Sequence, residues 1–184
     1  MANHYFNSRI QSTNRSTSVN HKITSITVPI TSKSTNYALP IQLLIPKINV
    51  NTNVEYIGLT SSGDVAVPTN SVAVGWYKYG ALPGTVGTAI IVGHVDNSVG
   101  QAAVFTHLNK LQIGDNVTVV DSKGQNISFT VSGTQVYNKS ENPVVVFKAT
   151  DNRAHLNLIT CTGPWDAAKY GFTERLVVFA DKTN

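Results

Sequence analysis

The sequence predicts an all-β fold, either a sandwich or a closed barrel. From Leu39 onward, short apolar runs recur: IQLLI (41–45), AIIV (89–92), VTVV (117–120), ISFTVS (127–132), HLNLIT (155–160) and RLVVFA (175–180). Runs of that length, divided by Gly, Asn, Pro and Asp, read as strands and turns. Composition agrees: charged residues are only 13% of the chain, while Val, Thr, Ser, Asn and Gly are plentiful, which favours pleated strands over helices. At 184 residues the chain can build one well-filled core, and many short strands in one domain resolve their exposed edges most simply by closing.

Taken in order, the first segment is different in kind. Eighteen of residues 1–36 are Ser, Thr or Asn, too little apolar surface to offset the entropy of ordering them. A flexible polar stalk over 1–36 and a folded domain over 37–184 are therefore expected. Within the stalk only ITSITVPI (23–30) alternates well enough to add as an edge strand or lie in a groove. After IQLLI comes a GWY segment (75–77) and the turn LPGTVG (82–87), then AIIV running into Gly93-His94. Val104, Phe105, Leu108 and Leu111 recur at helical spacing until Gly114-Asp115, predicting a helix that caps the barrel, with His107 on its surface. The turn DSKG (121–124) joins the next two strands, and the last two follow.

Charge excludes one class of function. The net +4 lies wholly in residues 1–36, where Arg9, Arg15, Lys22 and Lys33 face no acidic residue; residues 37–184 hold ten Lys/Arg and ten Asp/Glu. A neutral domain without basic-aromatic clusters is not a nucleic-acid surface. No run approaches the ~18 apolar residues of a membrane span, and no signal-peptide core follows Met1. Any membrane attachment is expected to use an anchor outside this chain.

Cys161 is the one cysteine, so neither a disulfide nor a cysteine pair for zinc can form within the chain. Alone, such a residue is a small buried hydrophobe. Its setting argues for chemistry, because cysteine catalysis needs a thiolate, a proton carrier and a donor for the developing oxyanion. Three segments offer these together. In IIVGHVDN (90–97) His94 stands at a strand end; in LNLITCTGPW (156–165) a strand delivers Thr160-Cys161 to the break at Gly163-Pro164; in ERLVVFA (174–180) Arg175 opens the last strand. His4 and His21 lie in the stalk, and His155 starts the cysteine strand six residues from Cys161.

Over 39–184 the chain resembles the sortase family. LLIPKINV, GWY before the LPG turn, the strand into GH, Phe105–Asp115 as FxxLxxLxxGD, TC at a strand end and an Arg fourteen residues later occur in the family's order. The TLxTC signature is met as NLITC, with Asn157 for the leading Thr. GWY, LPG and GHVDN look most like class F or the neighbouring class E and D enzymes. The resemblance implies a closed eight-stranded β-barrel with short helices. It also implies no cofactor and no metal: only Glu141 and Asp151 flank the loop that would carry calcium in class A.

The implied reaction is cysteine transpeptidation. Cys161 attacks the Thr carbonyl of an LPxTG-like sorting signal, His94 carries the proton, and Arg175 binds the oxyanion or the substrate backbone; Thr160 and Thr162 are further oxyanion or substrate-binding candidates, Thr162 through its backbone N–H. The acyl group passes to an amine of a peptidoglycan precursor or pilin, at the extracytoplasmic face of a Gram-positive-type membrane. Segments near Val144–Phe147 and 88–92 are candidates to line the groove. VPITS (28–32) is an imperfect copy of the motif that could occupy the site. A hydrolase with the same residues, an L,D-transpeptidase and a non-catalytic peptide-binding barrel are the rivals; the SHGC motif of the second is absent.

Overall fold

A computed structural model describes residues 38–141, 143–168 and 171–183. The expected stalk, its ITSITVPI strand and VPITS lie outside these residues. Residues 35–184 form one compact unit, and its eight strands close into a barrel. They are β1 (Pro40–Ile45), β2 (Val50–Ile57), β3 (Val74–Tyr77), β4 (Gly87–Gly93), β5 (Asn116–Asp121), β6 (Asn126–Asn138), β7 (Ala154–Asp166) and β8 (Gly171–Lys182). Around the barrel the order is β1-β2-β3-β4-β7-β8-β6-β5, with parallel pairs only at β2–β3 and β4–β7.

Strand periodicity sorts the side chains into two layers. Leu43, Ile91, Leu156, Leu158, Leu176 and Val178 fill the interior with Phe105 and Phe129. Ile90 and Val92 of β4 point the other way and form a second cluster with Ile57, joined by Ile159 of β7. That outer cluster marks a part of the β4–β7 wall whose outer face is packed over, whereas β6 alongside β8 keeps Thr134, Gln135 and Val136 exposed. The covers are the loop 58–73 and the loop 139–153, the latter carrying a single helical turn, α1 (Val144–Phe147).

The predicted capping helix over 104–111 is not formed. Successive hydrogen bonds there run three residues back, Leu108 N to Phe105 O, Lys110 N to His107 O and Leu111 N to Leu108 O, so the segment is turns and one 3-10 piece, Leu108–Lys110. The Thr106 hydroxyl accepts the Ala103 N–H and has one proton to give, with the Val95 and Ala103 carbonyls both in reach, competing with the backbone for helical partners. The apolar spacing was nonetheless meaningful: Phe105, Leu108 and Leu111 are all core residues, and His107 is exposed.

The DSKG turn is tied from within. Asp121 is fully buried, and its carboxylate accepts backbone N–H groups of Ala38, Lys123 and Gln125. Burial alone would raise that carboxyl, but the three donors outweigh it and hold it below the usual range.

Candidate active site

Neighbouring strands bring two of the predicted residues, Cys161 and Arg175, to one level, and the third, His94, follows the end of β4. Cys161 of β7 stands directly opposite Arg175 of β8, and Arg175 stands opposite Tyr137 of β6. Such pairs hold their Cβ atoms within roughly 4.5–5.5 Å. On the other flank β4 runs parallel to β7, with Val92 beside Ile159. His94 comes directly after Gly93, the last residue of β4, past the end of that pairing with β7. Cys161, Arg175 and His94 are all half-buried.

The end of β4 is fixed from several directions. Thr160 is 4% exposed, and its hydroxyl donates to the Gly93 carbonyl at 2.8 Å. The next carbonyl, that of His94, accepts the Phe105 N–H at 2.9 Å. A glycine is required at 93 because a Cβ there would lie 2.5 Å from the Phe105 ring. The imidazole Nε2 lies 2.9 Å from the Pro68 carbonyl. A carbonyl can only accept, so Nε2 carries a proton and Nδ1 is left to exchange one.

Beyond Cys161 the strand kinks. The β7–β8 register shifts between Thr162 and Trp165, and Gly163 at φ +78° sits where a Cβ would come 2.6 Å from the Glu174 carboxylate. Bulges of this kind re-aim the residues beside them. Thr162 is half-buried and level with Glu174.

Arg175 is partly tethered: one guanidinium nitrogen, Nη1, donates to the Phe172 and Glu174 carbonyls at 3.1 and 2.8 Å. The rest of its fork can bind a ligand. Burial pushes the Cys161 thiol above its ordinary range; Arg175 pulls against that, Asp96 adds to it and Lys139 opposes it. The free protein therefore holds a neutral thiol near pH 7.

The cavity over Cys161 and Arg175 has a volume of about 760 Å³; Gly93 lines it and His94 does not. Its floor is Val92, Ile159, Cys161, Arg175, Val177 and Tyr137, and its walls come from Leu59–Val67 on one side and from Lys139, Pro143, Val146 and Phe147 on the other. Of the segments expected to line a groove, 144–147 contributes Val146 and Phe147, and 88–92 contributes Val92. Tyr137, Pro68 and the 58–67 wall had no recognisable signal in the sequence, since nothing local ties them to Cys161. Among the described residues no group of three or more His, Cys, Asp or Glu side chains could hold a metal ion, and no helix is long and apolar enough to cross a membrane.

The closed barrel thus sets Cys161 opposite Arg175 on neighbouring strands and His94 just past the end of β4. The sortase domain model matches residues 43–183, and the chain belongs to the sortase family. Solved structures agree in fold. Sortase C1 from Streptococcus agalactiae superposes with a TM-score of 0.62 at 20% identity, over 78% of this chain and 67% of that one. A lid mutant of sortase A from Corynebacterium diphtheriae gives 0.62 at 21%, over 83% and 74%; sortase C-1 from Actinomyces oris gives 0.59 at 25%, over 79% and 75%. No curated protein sequence matches the chain.

Proposed function

We propose that the protein is an active transpeptidase that cleaves an LPxTG-like sorting signal between Thr and Gly and passes the acyl group to an amine. The observation that carries this is Cys161 standing opposite Arg175 on β7 and β8 at the floor of a groove partly lined by aliphatic side chains, with His94 following directly on Gly93 at the end of β4. The groove's aliphatic floor suits a Leu-Pro pair, and these residues supply each group the reaction needs.

The cysteine thiol is neutral at rest, so attack requires its proton to move first or in concert. Nδ1 of His94 takes that proton, Sγ adds to the Thr carbonyl, and the oxyanion is met by the free donors of Arg175. Collapse breaks the C–N bond; the imidazolium returns its proton to the departing glycine amine, leaving a thioester on Cys161. An incoming amine reverses these steps and regenerates the thiol. Thr160, with its hydroxyl committed to Gly93, acts by holding the end of β4 rather than by touching substrate. The Thr162 N–H remains the candidate second oxyanion donor.

The GWY, LPG and GHVDN segments favour class F, E or D, whereas the solved structures quoted above are class A and class C enzymes. The acceptor is an amine of a peptidoglycan precursor or pilin, and the setting the extracytoplasmic face of a Gram-positive-type cell. The test is incubation with LPxTG-type peptides and a small amine, with products read by mass spectrometry. Transfer product that disappears in Cys161→Ala supports the reading. Hydrolysis alone, unaffected by amine, would favour a hydrolase, and an unreactive Cys161 with peptide binding would favour a binding module.

A further inference from the structure

The outer face of β7 carries two polar stations, Cys161 near one end and His155 near the other, with α1 lying between them. Asn157, 2% exposed, donates from Nδ2 to the Val146 carbonyl at 2.7 Å, which fastens α1 to the strand. Val146 faces the Cys161 groove, whereas Val145 and residues 148–151 face a second cavity of about 400 Å³ beside His155.

His155 is engaged at both nitrogens. Nδ1 lies 2.7 Å from Asp181 Oδ1 on β8, and Nε2 lies 2.7 Å from Asp151 Oδ1 on the loop 139–153. Ionised carboxylates only accept, so both nitrogens must donate and the ring is an imidazolium. The other charges around it are Arg153, whose Nη2 is 3.8 Å from Asp181 Oδ2, and Lys148, which lines the same cavity. Burial works against the cation, but the hydrogen bonds to Asp151 and Asp181 outweigh it and raise His155 above its ordinary value. Neither nitrogen is left to activate Thr88 or Ser132, which share the cavity, so a second catalytic centre does not fit this geometry.

We propose that His155 is a positioning residue of the peptide groove: as an imidazolium it pins the loop 139–153 to β8 through Asp151 and Asp181, and so holds the wall made by Pro143, Val146 and Phe147. The role rests on the peptide-groove reading above. Deprotonation removes one donor and sets a bare nitrogen against a carboxylate. Asp151, on the loop and with its side chain 45% exposed against 30% for Asp181, is the partner that lets go. Peptide binding then weakens at high pH while the chemistry at Cys161 is untouched.

The experiment combines hydrogen exchange over 143–151, corrected for intrinsic rates, with steady-state kinetics on an LPxTG-type peptide at pH 6 and pH 9, in the full chain. In the wild type, exchange in the loop quickens and KM rises between the two pH values. His155→Ala shows the loosened loop and a KM raised about three- to tenfold at both, the size expected for loss of one partly exposed charged hydrogen bond. Its kcat and its rate of Cys161 alkylation stay near wild type. In Asp151→Asn the amide can accept from N–H or donate to the bare nitrogen, so the tie survives and the pH step in KM and in exchange is lost. Wild-type loop exchange and KM in His155→Ala, or a pH step that persists in Asp151→Asn, would overturn the proposal. Loop loosening as described, in a protein that turns over no peptide, would uphold the pin and refute the peptide reading instead.

Discussion

The two ends of the β7–β8 pair handle polarity in opposite ways. At the His155 end every nitrogen of the ring is bound to a carboxylate, and each carboxylate meets a further partner, Arg153 N–H for Asp151 and the Arg153 guanidinium for Asp181. At the Cys161 end capacity is left over: a thiol, one imidazole nitrogen of His94, and the donors of Arg175 other than Nη1. The same two strands serve both, separated by about 20 Å of extended chain. Saturated groups hold backbone in place, whereas unsaturated groups over a cavity are free to bind something that changes charge.

This contrast can be broken most severely at Arg175. Arg175→Lys keeps a cation but loses the fork, so transfer should fall by about two to three orders of magnitude in kcat, the cost typical of a missing oxyanion donor, with folding unchanged by circular dichroism. Near wild-type kcat would mean that charge alone suffices. A second break is at Gly93. Gly93→Ala drives a methyl into Phe105, and overpacking should cost about 1–3 kcal/mol of unfolding free energy; because the same contact aligns His94, activity should drop beyond what stability accounts for.

A smaller effect sharpens the comparison through pH. Cys161 sits above the ordinary thiol range, mainly through burial, so its alkylation by iodoacetamide should keep climbing with pH past ~8.5 rather than level off. Arg175→Ala should move that curve to higher pH, since the guanidinium stabilises the thiolate, and Asp96→Asn should move it lower, since the carboxylate opposes it. Curves that do not separate in this order would mean that neither charge reaches the sulfur. The smallest effect belongs to His155. Its folded-state value is raised, so its contribution to stability is complete below its ordinary ~6.5 and declines as pH rises through the higher folded value. The melting-temperature gap between wild type and His155→Ala should accordingly be wider at pH 6 than at pH 9.

Much of this was readable in the sequence, and the limits have physical causes. Six strands with clear apolar runs were located; β2, VNTNVEYI, and β3, VGWY, were not, β2 because its exposed positions are Asn and Tyr and its apolar residues are sparse, β3 because it is only four residues long. The capping helix failed because helical spacing over eight residues also suits a string of tight turns, and Thr106 tips the balance. At the site, residue types and strand ends pointed to His94, Cys161 and Arg175. The alignment of Cys161 with Arg175 depends on the β7–β8 register, which no local pattern encodes. The Pro68 carbonyl, the Phe105–Gly93 contact and the His155–Asp181 half of the pin are likewise not local. His155 was visible as a residue six positions from Cys161, but its engagement at both nitrogens needs Asp181, 26 residues away on β8, as well as the nearby Asp151.

Covalent bond formation at Cys161 can be read most directly by intact-protein mass spectrometry after acid quench of a reaction with an LPxTG-type peptide. The expected result is a mass increase equal to the peptide's acyl portion, mapped to Cys161, lost on adding hydroxylamine or an amine, and absent in Cys161→Ala. Turnover with no acyl-enzyme under any quench, or turnover that survives in Cys161→Ala, would contradict it.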